Sequence, residues 1–574
     1  MEFRKLYTPQ GEKRREIPWQ SYPRPQLQRD SFFCLNGQWE FAVTQEDRFP
    51  ETYDRKITVP FAPQALLSGI GVHFGEEQRL YYRRYFRLPE RFVKSRVLFH
   101  MGAADQKTVI RLNGIRIGSH VGGYLPMCFD ITHALKEENC LEIRVTDDLR
   151  DQSLPYGKQC LKRGGMWYTP VSGIWQTVWL ESVPERYIKE LKIETKGDRV
   201  WIDARDPALF GSISVQTPQG ERKERVQEGK VALQIRQPRL WSPEDPYLYR
   251  FTLELGEDRV ASYFALRDLE IKAFNGIPRL CLNGKPYFFH GLLDQGYWSD
   301  GLFTPAEPSC YEEDISAMKA LGFNTLRKHI KIEPEQFYYD CDRLGMIVFQ
   351  DMVNNGPYSF FRDTALPTAG FQKRSDKRLH KDKSLRENFL KSMEDTVEHL
   401  KNHPCICYWT IFNEGWGQFE SSKAYERLKK LDGSRFIDAT SGWFRCGKSD
   451  VESLHIYFKP LKLPSTDKPL VLSEFGGYAY APKEHVFNPN KTYGYAKYTQ
   501  EKEFREAVEK LYTQQLLPLV KKGLCAAIYT QVSDVEDETN GVLTYDRRLC
   551  KLEEAVMRPI AVALQDAVLP CKTK

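Results

Sequence analysis

From about residue 273 to the carboxyl terminus, short apolar runs of β-forming residues alternate with helical periodicities, and eight such runs can be counted. They are Tyr287 to His290, Thr325 to Lys328, Met346 to Gln350, Ile406 to Phe412, Phe436 to Ala439, Ser453 to Tyr457, Leu470 to Leu472 and Ala526 to Gln531. Strands that alternate with helices are laid down parallel, because each crossover returns the chain to the same end of the sheet. In this order they make a (β/α)₈ TIM barrel a better solution than an open sheet. Helical spacing of apolar residues is clearest over Tyr311 to Leu321, Glu335 to Leu344, Leu385 to Leu400 and Lys502 to Val520. Gly322, Gly345 and Gly523 stand where left-handed helix C-caps belong. The connections after the fifth and sixth runs are short and give little support for helices.

Ahead of residue 273 the period changes to two. Val97 to Met101, Thr108 to Leu112 and Leu141 to Val145 alternate apolar and polar residues, and Asn113-Gly114 is a hairpin signal. Residues 1–183 therefore read as an antiparallel β sandwich. Residues 184–272 hold shorter strands, such as Glu190 to Thr195 and Tyr249 to Leu255, and suit a small immunoglobulin-like sandwich. The barrel is expected over residues 273–574.

Composition narrows the partners. The net charge of +6 on 574 residues is small and its lysines and arginines are scattered, which argues against nucleic acid. Apolar runs are strand-length, so no membrane span is expected, and the amino terminus lacks a secretory apolar core. The 13 cysteines are odd in number and carry no metal-ligand spacing, which fits a reduced cytoplasm. Neither a cofactor nor a metal is expected. The β domains are expected to shape the pocket or to form a contact in a homo-oligomer.

Two of the barrel runs end on a glutamate. Cys405-Ile-Cys-Tyr-Trp-Thr-Ile-Phe-Asn-Glu414 is followed by Gly-Trp-Gly, and Pro469-Leu-Val-Leu-Ser-Glu474 by Phe-Gly-Gly. Barrels place their chemistry at the carboxyl ends of their strands. Two carboxylates there suit a proton donor and a nucleophile acting on one glycosidic bond; the alternative is that each merely ends a strand and caps the next helix. Asn413 is placed to hydrogen-bond a sugar hydroxyl. Arg327 is the natural cation to keep one carboxylate ionised, or else makes an ordinary salt bridge. His455 and Tyr457 alternate on one strand and point the same way, and His329 lies just after Arg327. Trp298, Trp416, Phe419, Trp443, Tyr478 and Tyr480 fall on mouth loops, with Trp416 the first choice for stacking on a sugar face. The acidic stretch Ser533 to Glu538 is a source of ligands for hydroxyls or a hard cation, or else a solvated loop, except for Asp534, which sits nearest the strand end and reads as a ligand.

Over nearly its whole length the chain resembles glycoside hydrolase family 2, the group of β-galactosidases, β-glucuronidases and β-mannosidases. The resemblance is carried by Leu35-Asn-Gly-Gln-Trp39, Gly102 through Leu112-Asn-Gly to Pro126, Phe129-Asp-Ile-Thr and Ser172-Gly-Ile-Trp175. In the barrel it is carried by Asn324-Thr-Leu-Arg327, Cys341-Asp-Arg-Leu-Gly345, Asn413-Glu414 and Ser473-Glu474-Phe-Gly-Gly. It implies a jelly-roll fold for the first sandwich, with Glu414 as acid/base and Glu474 as nucleophile of a retaining exo-β-glycosidase. The leading substrate class is a terminal β-galactoside, with β-glucuronides or β-galacturonides as the alternative and an inactive carbohydrate-binding protein as another. Two departures stand out. Many members place Ser-His two and three residues after the arginine, whereas Lys328 and His329 follow Arg327 here. The Asn-x-Lys grip for a uronate is replaced by Asn540-Gly-Val-Leu-Thr-Tyr-Asp-Arg-Arg548, leaving Lys328, Lys331, Lys459 and Arg445 as other cations on or near the mouth.

Overall fold

The computed structural model describes residues 3–13, 15–371, 375–377, 379–445 and 447–569. Its first part is a sandwich. A six-stranded antiparallel sheet faces a four-stranded one, built around Arg96–Met101 and Val178–Val183. Trp39, Phe41, Tyr82, Phe99 and Ile143 fill the space between them. Asn113 and Gly114 take φ of 53° and 82°, both left-handed, as a two-residue hairpin between right-twisted strands requires. The second part packs a three-stranded sheet (residues 192–234) on a four-stranded one (residues 211–264). Its core of Val200, Ile213, Tyr249, Phe251 and Leu255 comes from alternate strand positions.

The third part is a nearly closed barrel of eight parallel strands. They are β1 (Phe289–Asp294), β2 (Thr325–Lys328), β3 (Ile347–Asp351), β4 (Ile406–Asn413), β5 (Phe436–Ser441), β6 (Glu452–Ile456), β7 (Leu470–Phe475) and β8 (Leu524–Tyr529). Nearly all these positions are buried, so the strands are continuous apolar runs rather than alternating ones. Backbone pairing runs without a break from β5 through β1 to β6. The seam between β5 and β6 is bridged by side chains, with Ser441 Oγ 3.4 Å from Ser453 Oγ. An aromatic layer plugs the lower barrel: Phe349 stacks on Tyr408 at 4.1 Å, and Phe289 meets Phe349 and Phe436. Burying each such ring contributes about 2–3 kcal/mol.

Helices α1 (Ser309–Ala320), α2 (Glu335–Leu344), α3 (Lys383–Leu400), α4 (Ser421–Leu431), α5 (Glu501–Lys510) and α6 (Glu554–Val568) are the longer ones outside the sheet. Among the described residues no helix separates β5 from β6 or β6 from β7, as their short connections suggested. No helix among the described residues is long and apolar enough to cross a membrane.

The sandwiches approach the barrel at opposite ends. Arg267, at the end of the second, donates to the carbonyls of Pro404 and Ile406 where β4 begins. From the first, the segment 153–169 reaches over the strands' carboxyl ends. There Tyr156 Oη donates to Gly356 O at 2.8 Å and Thr169 N donates to Glu536. Gly345 caps α2 at φ 73°, and a Cβ there would lie 2.6 Å from Pro243 O in the second sandwich. Gly345→Ala is expected to cost more than about 1 kcal/mol, read as a lower urea midpoint of unfolding.

Candidate active site

Glu414 follows the last residue of β4 and hydrogen-bonds through its N–H to Ser441 O at 2.9 Å. Its φ of 52° is left-handed, which costs a non-glycine residue about 1–2 kcal/mol. The turn continues through Gly415, where a Cβ would lie 2.0 Å from the Phe444 ring. The tight turn fixes the carboxylate over the barrel mouth, and such backbone strain gathers at functional positions. Glu474 is the penultimate residue of β7. A carboxylate oxygen from each glutamate and a ring nitrogen of His455 lie within 4.8 Å of one another.

His455, on β6, links the two. Its Nδ1 donates to Glu414 Oε1 at 2.8 Å, while Nε2 lies 3.0 Å from Ser441 Oγ and 3.5 Å from Glu474 Oε1. Trp443 packs edge-on against its ring at 5.5 Å. Tyr457 donates its hydroxyl to Glu474 Oε2, lies 3.0 Å from Thr530 Oγ1 and stacks on Tyr495 at 3.7 Å.

Arg327, on β2, is fully buried beneath the pair. Its guanidinium donates to Glu474 Oε1 (3.0 Å), Ser473 O (3.0 Å), Asn413 Oδ1 (2.8 Å) and Asp351 (3.0 Å). It therefore neither dangles nor makes a single salt bridge; it ties β2, β3, β4 and β7 together. Its hold on Asn413 turns that amide's N–H₂ away from the guanidinium, leaving it as the side chain's donor. His329 sits one step back, its Nδ1 donating to Asp351 Oδ2 at 2.7 Å. Burial pushes the His329 imidazole below its ordinary pKa, against the pull of Asp351. Burial also pushes Glu474 up, but His455, Arg327 and His329, with the Tyr457 hydrogen bond, outweigh it and hold the carboxyl at about 2.

Other sequence expectations change. Trp416 is 3% exposed, donates from Nε1 to Gly356 O at 3.0 Å and packs edge-on against Tyr156 and Trp167. Its ring backs the pocket wall, because Trp167 arrives over it from the first sandwich. Half-buried Tyr358, Tyr493 and Tyr495 stand nearer the opening. Their phenols are raised by burial, and Glu414 adds to the shift in each. No strand-end pattern singled these tyrosines out, since they come from long loops.

Asp534 is buried and accepts from Lys551 Nζ at 2.6 Å and Gly541 N at 2.8 Å. Burial raises its carboxyl to about 6, with Lys551 pulling the other way. It pins the loop after β8 rather than offering ligands to solvent. Its neighbours bind the first sandwich: Arg163 pairs with Glu536 and Asp537 at 3.1 Å, and Tyr168 donates to Glu538. The acidic stretch is thus a docking strip, with its charges compensated across a domain boundary.

Three of the four mouth cations are also taken. Lys328 pairs with Asp294 (2.6 Å) and Glu333 (2.8 Å), Lys331 with Glu333 (2.8 Å), and Arg445 with Glu452. Lys459 is exposed. Glu414, His455 and Glu474 are also close enough to hold a metal ion. The Arg327 guanidinium and the Tyr457 hydroxyl already engage Glu474, however, and fixed positive charge beside a ligand opposes a cation.

The model for "Glycosyl hydrolases family 2, TIM barrel domain" matches residues 277–516, and that for "Glycosyl hydrolases family 2" matches residues 190–267. Together these matches cover more than half of the chain. A β-glucuronidase of Chlorocebus aethiops is 25% identical over 408 residues, covering 62% of this chain and 58% of that protein. A β-galactosidase of Thermoanaerobacter pseudethanolicus is 24% identical over 441 residues, covering 71% of this chain and 55% of that protein. The chain thus spans little more than half the length of these curated relatives. The solved β-D-glucuronidase of Dictyoglomus thermophilum has the same fold, with a TM-score of 0.72 at 17% identity, covering 96% of this chain and 99% of that one.

Asp534→Asn would leave Lys551 charged and unpaired in the interior, a loss of about 3–5 kcal/mol in urea unfolding. A variant of wild-type stability would show instead that the pair is dispensable.

Proposed function

Because the chain belongs to glycoside hydrolase family 2, we propose that it is a retaining exo-β-glycosidase working by double displacement. The observation that carries this reading is the approach of the Glu414 and Glu474 carboxylate oxygens to within 4.8 Å. Retention needs carboxyls about 5–5.5 Å apart, whereas inversion needs about 6.5–9.5 Å to admit a water molecule. Glu474, held ionised by His455, Arg327, His329 and Tyr457, attacks the anomeric carbon. Glu414 gives its proton to the departing glycosidic oxygen. In the second half Glu414 takes a proton from water as that water displaces Glu474 from the sugar. His455, bonded to Glu414 and 3.5 Å from Glu474, is placed to hold the two carboxyls at a fixed separation. Asn413 is placed to meet the hydroxyl beside the reacting carbon. The segment 153–169 and the loop after β8 close one side of the mouth, which suits a pocket for a single terminal residue. No metal or cofactor is needed for any step.

The sequence put terminal β-galactosides first, with a β-uronide as the alternative; one structural observation favours the β-uronide, a lysine without an ion pair among the described residues that is taken up below. We place the enzyme in the cytoplasm, where eleven cysteines that are free among the described residues would stay reduced.

A panel of 4-nitrophenyl β-glycosides with NMR of the first-formed anomer tests the reading. A β product is expected; an α product would remove Glu474 from the nucleophile's role. Glu474→Gln is expected to lose about 10⁴-fold or more in kcat. Glu414→Gln should lose most on alkyl glycosides and least on activated aryl ones, which need little protonation. Tyr457→Phe removes a donor that stabilises the Glu474 anion, so that carboxyl rises from about 2 toward its ordinary 4.5. The acid limb of kcat/KM should accordingly move to higher pH, and an unmoved limb would dissociate the Tyr457 hydrogen bond from nucleophile ionisation.

A further inference from the structure

The mouth of the barrel is rich in cations, yet most are neutralised by the protein itself. Lys328, Lys331, Arg163, Arg445 and Lys551 each lie within ion-pair distance of a carboxylate, and Arg327 is enclosed by Asp351, Glu474 and Asn413. Lys158 differs. Among the described residues its Nζ makes no hydrogen bond and no ion pair, and it lies 5.7 Å from the centroid of the Trp167 ring.

Its position is nevertheless fixed. Tyr168 N donates to Lys158 O at 3.1 Å, and Gln159 bridges to Tyr168. The preceding Gly157 lies so close to the chain after β2 that a Cβ would stand 2.9 Å from Ile330 O. Tyr156 N donates to Asn354 O at 3.2 Å on the loop after β3. The half-buried Lys158 is therefore delivered by the first sandwich to the rim between the loops after β2, β3 and β8. Its charge acts on both His329 and Glu538: it adds to the burial that lowers the His329 pKa and opposes the burial that raises that of Glu538. Those two groups in turn interact with Glu474. The adjoining Asn354 is 2% exposed, and neither its Nδ2 nor its Oδ1 has a hydrogen-bond partner. A buried amide without a partner calls for an explanation, and this one belongs to the residue whose carbonyl accepts from Tyr156 N, two residues before Lys158.

We propose that Lys158, with Asn354 on the adjoining loop after β3, binds an anionic group on the sugar, the carboxylate of a terminal hexuronic acid. A carboxylate offers two acceptor oxygens, enough for an ammonium and an amide N–H at once. A neutral hydroxymethyl group would leave the ammonium without its counter-charge. The specificity residue would thus come from the amino-terminal sandwich rather than from the barrel that carries the glutamates. The inference rests on the retaining-glycosidase reading for its substrate, and the test separates the two.

The measurement is kcat/KM on 4-nitrophenyl β-D-glucuronide, β-D-galacturonide and β-D-galactoside for the wild type, Lys158→Met and Lys158→Arg. Wild type is expected to prefer a uronide. Lys158→Met should lose about a hundredfold or more on that uronide, chiefly through KM, with little change on the galactoside. Lys158→Arg should restore part of the loss. Equal losses on charged and neutral substrates, or a wild type that cleaves only the galactoside, would overturn the proposal; Lys158 would then serve to screen Glu538. Calorimetric titration of free glucuronate and galacturonate against galactose gives a reading independent of turnover. If wild type cleaves no glycoside, uronate binding that Lys158→Met abolishes supports the anion site while the hydrolase reading fails. If neither acid binds more tightly than galactose, the anion site fails. Melting curves establish that Lys158→Met is folded, and should it not be, the Lys158→Arg and Asn354→Asp variants carry the comparison. Asn354→Asp, which sets a negative charge beside the site, should weaken uronide cleavage selectively.

Discussion

A single guanidinium organises the mouth of this barrel. Arg327 is wholly buried, and it is tolerated there because its fork of N–H donors finds Asp351, Glu474, Asn413 and the Ser473 carbonyl at hydrogen-bond distance. Burial opposes its charge, but Asp351 and Glu474 overcome that and keep it firmly protonated. Removing one partner from so enclosed a charge would cost far more than the pair contributes. The four strands involved are thereby held in register at the level where Glu414 and Glu474 emerge. The same network sets the electrostatics, since the field that fixes the strands also keeps Glu474 ionised.

The other organising constraint runs between domains. The loop after β8 carries Asp534, Glu536, Asp537 and Glu538, all buried. That many acidic groups could not be enclosed without counter-charges and donors. Lys551 supplies one from within the barrel, while Arg163, Thr169 N and Tyr168 come from the first sandwich. Docking of that sandwich thus satisfies the loop, and in doing so brings Trp167 and Lys158 to the rim of the pocket. The second sandwich attaches by a different logic, through Arg267 on the carbonyls that open β4 and through Gly345 pressed against Pro243.

Much of this architecture was legible in the sequence. Buried parallel strands need unbroken apolar runs, so all eight announced themselves, and the two missing helices could be anticipated from connections too short to hold them. Trp409, within the fourth run, is buried and bonded to Asp432 at 2.9 Å. The strand-end rule found Glu414, Glu474, Asn413, Arg327, His455 and Tyr457, and the structure gathers all six. The rule fails on loops. Trp416 lies two residues past a strand end, but its exposure depends on what packs over it, and Trp167 arrives from more than two hundred residues upstream. Asp534 read as a ligand at the strand end because Lys551, its actual partner, is also on a loop.

What the chain determines by itself is periodic: a run of eight strands, the change from period two to alternating strands and helices, and a carboxylate at the end of two barrel strands. These follow from local rules of burial and backbone geometry that act over a few residues. Tertiary structure alone decided which charges are free and which are matched. Pairing depends on distances between segments far apart in sequence, and the energy of a charge depends on how much water the fold leaves around it. Lys328 and Lys158 are the same residue type, yet one is enclosed between Asp294 and Glu333 while the other, among the described residues, has no ion pair and lies over the face of Trp167.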